Sequence, residues 1–125
     1  MAIFPIKSRL KKKKDKEKVG FVYLLADFDR EGIYKIGVTT GTIENRIKKL
    51  QTGNSGEIYI ADYFKSKAPF FVERWMHKHY ISKRVLNEWF ELSLEERKNF
   101  KEICQKYEAL HDNIEEMNNN PDMFD

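Results

Sequence analysis

The chain changes apolar period several times, and each change predicts an element. Phe21 to Ala26, FVYLLA, is an apolar and aromatic run suited to a largely buried strand, and Ile33 to Val38 reads as a second strand after the acidic turn Asp27, Asp29, Glu31, Gly32. So short a connection makes the pair an antiparallel hairpin. From Thr42 the period becomes helical: Ile43, Ile47 and Leu50 fall at i, i+4 and i+7, the Thr42 hydroxyl caps the first turn, and the helix is expected to reach about Gln51. Arg46 and Lys49 are expected on a different face, away from the apolar stripe. Gly53 to Gly56, GNSG, stops that helix and leads to a third strand near Glu57 to Phe64, where Ile58, Ile60 and Asp62 alternate with Tyr59, Ala61 and Tyr63. Pro69 opens a second helix through Phe71, Val72, Trp75, Met76 and Tyr80, with Glu73 and His77 four apart on one side. NEWFEL follows as a short extended piece. Ser93 and Glu96 form a capping box for a third helix with the stripe Phe100, Ile103, Tyr107, Leu110 and Ile114, and the run after Met117 is expected to fray.

The order ββαβα plus a C-terminal helix predicts an α+β domain: a small three-stranded antiparallel sheet flanked by helices. The expected organisation is a basic flexible arm over 1–19, the domain proper over 20–92, a C-terminal helix packed on it over 93–117, and an acidic frayed tail over 118–125.

Composition narrows this picture. At 125 residues there is room for one domain, and 41% apolar with 14% aromatic content is enough for a packed interior. The single cysteine, Cys104, excludes an intramolecular disulfide and a cysteine-based zinc knuckle. It fits an intracellular location, cytoplasmic or nucleoid-associated, and not a secreted one. No apolar stretch approaches the roughly 20 residues that span a bilayer, so no membrane partner is expected.

Net charge is only +3, but it is unevenly spread. Residues 1–20 carry eight Lys/Arg against two acids, and residues 93–125 carry four against nine. The arm, with Lys11, Lys12, Lys13 and Lys14, is equally readable as a phosphate-binding segment, a solubilising tail or a localisation signal. Lys48, Lys49, Arg74 and Lys78, with further cations at Lys65, Lys67, Lys83 and Arg84, form either a phosphate-tracking face or a solvated one.

Phe21-Val22-Tyr23, then eleven intervening residues, then Lys35-Ile36-Gly37, with Arg46 on the next helix and Glu73 on a later one, resemble the GIY-YIG nuclease superfamily. GFVYLL, YKIGVTTGTIENRIKKLQTGN, Glu73 with His77, and Glu88-Trp89-Phe90 look closer still to a compact branch, the bacteriophage-type DNA-binding or meiotically-upregulated-gene-type domains. This resemblance covers about residues 20–92 and implies a metal-dependent DNA endonuclease. Tyr23 would activate water, Arg46 would neutralise the scissile phosphate, and Glu73 would hold one divalent ion, Mg2+ or Mn2+.

A phenol is a poor base at neutral pH, so Tyr23 needs a nearby positive charge, which Lys35 on the partner strand is expected to supply. Lys35 stands where the superfamily has the tyrosine of YIG, and alternation sends Tyr34 to the opposite face. The asparagine that follows the glutamate in the superfamily has two candidates, Asn87 or a carboxylate replacement at Glu88. His77 is read as a catalytic or a structural imidazole, Gly37 as a point of close approach by a helix or phosphate, and Trp89 as core or as a base-stacking ring. The expected partner is DNA, double- or single-stranded, with target choice weak, structure-directed, or supplied by dimerisation or an accessory protein. Two rival readings are a non-cleaving DNA-binding module and a protein-interaction domain.

Overall fold

A computed structural model of the protein describes residues 18–119. Lys11, Lys12, Lys13 and Lys14, with nearly all of the basic arm, lie outside the described residues, as does most of the acidic tail. The described chain runs β1 (Gly20–Asp27), β2 (Arg30–Thr39), α1 (Ile43–Thr52), β3 (Ile58–Ser66), α2 (Pro69–His79), β4 (Arg84–Leu86), β5 (Trp89–Glu91), α3 (Leu94–Lys98) and α4 (Phe100–Asn119).

The sheet has five strands in the order β3-β1-β2-β5-β4, and every neighbouring pair is antiparallel. This corrects the expected three strands, although the fold remains α+β. The two additional strands form a hairpin within residues 84–91, three residues each, where only one extended piece was expected. Arg84, Val85 and Leu86 are all exposed, so β4 has no buried face and leaves no alternation to read. Asn87 takes the positive φ of 50° at the turn, a conformation asparagine adopts more readily than most residues.

The sheet separates two cores. On one face Val22, Leu24, Ile36 and Phe90 pack with Val72 and Met76 of α2 and with Phe100, Cys104 and Tyr107 of α4. On the other, Tyr23, Leu25 and Ile58 pack under Ile47 and Leu50 of α1, with Trp89 alongside. Alternation in β1 therefore sorts its side chains between two helical layers. Tyr34 joins the α2/α4 side, as its parity with Ile36 requires.

Local chemistry sets the helix ends. The Thr42 hydroxyl accepts the Asn45 N–H at 3.2 Å and starts α1, an interaction worth about 1 kcal/mol. Ser93 and Glu96 do form a reciprocal capping box, but the helix they start is only α3. Asn99 breaks the path, and the apolar stripe belongs to α4, whose Ile114 is at the exposed end. In β3 the register shifts opposite Leu24 and Leu25, so Ala61 is bulged and the expected alternation fails there.

Candidate functional site

The candidate site lies beside β2, where side chains from β1, β2, α1, α2 and the β4–β5 turn converge. Tyr23 pairs with Gly37 across the β1–β2 ladder, while Lys35 pairs with Leu25. Directly opposed residues share a face, so Tyr23 and Lys35 lie on the same side but two residue pairs apart. The phenol extends over Gly37. A Cβ at Gly37 would run into the Tyr23 hydroxyl and ring. The close approach allowed by this glycine is thus that of the neighbouring tyrosine, and not of a helix or phosphate as the sequence suggested. Gly37→Ala should cost roughly 1–3 kcal/mol through overpacking. An unchanged denaturation midpoint would show that the ring has room to move.

Arg46 is the partner of Tyr23. Its Nε–H donates to the phenol oxygen at 3.1 Å. On a helical wheel Arg46 lies only roughly 40° from Leu50, at the edge of the apolar stripe rather than away from it. A long side chain there reaches down beside the core to the sheet. The expected charge from Lys35 is therefore replaced by that of Arg46, while Lys35 Nζ lies 3.9 Å from Glu88 Oε1. Arg46 makes no ion pair with any described acid, which leaves Nη1 and Nη2 for an oxyanion.

Burial pushes the Tyr23 phenol above its ordinary pKa. The Arg46 hydrogen bond and charge oppose this, but Glu88 and Glu73 add to the rise. Tyr23 thus keeps its proton at neutral pH and, with a lone pair taken by Arg46, offers a hydroxyl donor.

The acidic part of the site comes from α2 and the β4–β5 turn. Ligand atoms of Glu73, His77 and Glu88 lie within 4.8 Å of one another. His77 Nε2 is 2.8 Å from the Ile36 carbonyl oxygen and 3.8 Å from Glu73 Oε2. A carbonyl can only accept, so Nε2 carries a proton and is closed to a metal while this bond holds. His77 also packs edge-on against Phe90. Burial raises the Glu73 pKa, countered by His77 and raised further by Glu88. Two converging carboxylates, one of them held against its preference for water, suit a hard divalent cation with oxygen ligands.

Tyr23, Lys35, Arg46, Glu73, His77 and Glu88 are thus brought together. Asn87 is not: it is an exposed turn residue, and its neighbour Glu88 occupies the site. Arg74 is exposed but near enough for its charge to act on Glu73. Lys49 lines a pocket with Lys35, whereas Lys48 is simply exposed. Lys78 lies 4.8 Å over Trp75, whose ring stacks on Tyr107, and so belongs to the α2–α4 side.

Sequence reasoning missed the clamp behind the site. Asp27 accepts from Asp29 N–H at 2.8 Å and Asn54 Nδ2 at 3.1 Å, fixing the loop after α1 to the end of β1. These bonds, Asn54 first, hold the Asp27 carboxyl below its usual pKa. The Asn-Ser-Gly loop signal gave its turn tendency but not its distant partner.

The family model of the T5orf172 domain matches residues 20–105. The matching family is therefore T5orf172 and not GIY-YIG, which corrects the superfamily resemblance drawn from short motifs. Those motif pieces all fall inside the matched segment, but lysine replaces the tyrosine of YIG and the sheet extends to five strands. Searches among curated proteins and solved structures give no significant match. The match spans more than half of the chain and includes both strands, both helices and the turn that build the site, and on that basis the chain belongs to the T5orf172 domain family.

Proposed function

We propose that this domain is a metal-dependent endonuclease that hydrolyses a DNA phosphodiester with water as nucleophile. The observation that carries this reading is the joining in one place of the Arg46–Tyr23 pair, Lys35, and the Glu73–Glu88 carboxylates. T5orf172 domains are often associated with nuclease or DNA-binding roles, which supports the choice of DNA.

In this reading Arg46 receives the scissile phosphate through its free guanidinium edge and stabilises charge as it develops there. Tyr23 donates its hydroxyl proton in a hydrogen bond and orients Arg46, and Lys35 supplies a second positive charge. Glu73 and Glu88 would hold one divalent ion, Mg2+ or Mn2+, which when bound supplies charge to the phosphate and acidifies water. His77 keeps α2 attached to β2 through Ile36, which positions Glu73.

The raised phenol pKa favours one alternative, a DNA-binding module without cleavage, because the protein environment does not prepare Tyr23 as a base. Incubation of supercoiled plasmid and single-stranded DNA with the protein separates the two. Cutting is expected with Mg2+ or Mn2+ and none is expected with chelator. Salt-sensitive binding without cutting under either metal would leave the binding module, and absence of binding would remove the DNA role.

A further inference from the structure

We propose that the pocket beside the acidic site receives one nucleobase of the DNA, turned out of its stack next to the phosphate held by Arg46 and Lys35. The inference rests on the DNA-cutting reading and adds the form of substrate that it selects: DNA with an unpaired or easily extruded base.

The pocket measures about 200 Å3 and lies between β1, β3, β5 and the end of α1. Leu25, Leu50, Ile58 and Trp89 give it apolar and aromatic walls, while Lys35 and Lys49 add two cations. Small-molecule sites usually begin near ~300 Å3, so this space suits a single ring system better than a whole cofactor. An apolar cleft with an indole wall and lysines matches an uncharged aromatic ring that carries a phosphate at its edge.

Continuity with the acidic site identifies which phosphate. Lys35 lines the pocket and also approaches Glu88, and Trp89 follows Glu88 directly in the chain. Lys35 and Trp89 are cross-strand partners, with Lys35 Nζ 5.7 Å from the indole centre. One nucleotide can therefore place its phosphate beside Lys35 and its base against Trp89. Asn54 also lines the pocket, and its side-chain Nδ2 is already committed to Asp27 and to the Gly56 carbonyl. Its free Oδ1 is an acceptor, suited to an amino group on a base edge.

Three duplexes of equal length test this in chelator, where no cutting occurs: fully paired, carrying one bulged base, and carrying an abasic residue at the bulge. Fluorescence anisotropy should show the bulged-base duplex binding about tenfold more tightly than the abasic one. Trp89→Ala should bring that ratio to about one. Gly53→Phe provides a second variant that keeps the indole. Gly53 lines the pocket with φ at −99°, and a Cβ there would meet only the Leu50 carbonyl oxygen at 3.9 Å. The larger side chain should block the pocket and give the same loss.

Equal wild-type affinity for bulged and abasic duplexes would overturn the pocket assignment even if cutting is intact. So would a preference that persists in either variant when circular dichroism shows it folded. If Trp89→Ala does not fold, Gly53→Phe decides. Failure to bind any of the duplexes would remove the DNA-cutting reading as well.

Discussion

Arg46→Ala is expected to slow DNA cutting by about 10²- to 10³-fold, the loss typical when one preorganised donor to a developing oxyanion is removed. Binding at low salt should weaken far less, because other cations contribute to phosphate attraction. The substitution acts twice: it removes the guanidinium edge and leaves the buried Tyr23 hydroxyl without its partner. Arg46→Lys should restore little, since an ammonium lacks the fork that contacts phenol and phosphate together. Single-turnover rates measured with saturating protein separate chemistry from binding. A lysine variant that cuts at the wild-type rate would show that charge alone suffices and that the Tyr23 contact is incidental.

The second large effect concerns Glu73. Glu73→Gln should abolish cutting and, in chelator, raise thermal stability at neutral pH. The sign follows from the raised carboxyl pKa, caused first by burial and then by Glu88. The folded state resists ionisation more than the unfolded chain, so stability is greatest with Glu73 protonated and declines as pH rises from the unfolded pKa through the folded one. Glutamine removes that cost. A divalent ion should stabilise the wild type instead: at a hundred times its Kd the gain is about 2.7 kcal/mol, or roughly 10–20 °C in Tm for a domain of this size. The glutamine variant should lose this metal-dependent shift. A variant that is less stable in chelator, or that responds to Mn2+ as the wild type does, would remove Glu73 from the metal role.

The legible part of the site was its residue types, and the illegible part was their pairing. Tyr23, Arg46 and Glu73 could be selected because they fall in short motifs that resemble a nuclease pattern and their side chains suit its chemistry; the helical period by itself puts Arg46 away from the apolar stripe. Lys35 was matched to Tyr23 because both sit on the hairpin, but the ladder opposes Tyr23 to Gly37 and Lys35 to Leu25. Two residue pairs of offset are enough to send Lys35 towards Glu88 and leave Tyr23 to Arg46. Loop length and register decide this, and neither is encoded in side-chain period.

The same limit governs the fold. β1, β2, α1 and α2 each carry enough periodic residues to be read locally. The β4–β5 hairpin does not, because its three-residue strands are held by β2 rather than by their own pattern. Yet this hairpin delivers Glu88 and Trp89, so the least legible element supplies two residues around the site. The third predicted helix fused two true signals, a capping box and an apolar stripe, that belong to successive helices.

The segment that defines the family ends at residue 105, but the packing behind the site continues past it. Glu108 accepts the Ser66 hydroxyl at 2.8 Å and the Lys67 N–H at 3.1 Å. Tyr107 stacks on Trp75, and its hydroxyl lies 2.8 Å from His79 Nδ1. These contacts hold the back of α2, whose opposite side carries Glu73. The cooperative unit therefore extends beyond the stretch by which kinship is recognised, and the rear half-turns of α4 are as much a part of the acidic site's foundation as the strands in front of it.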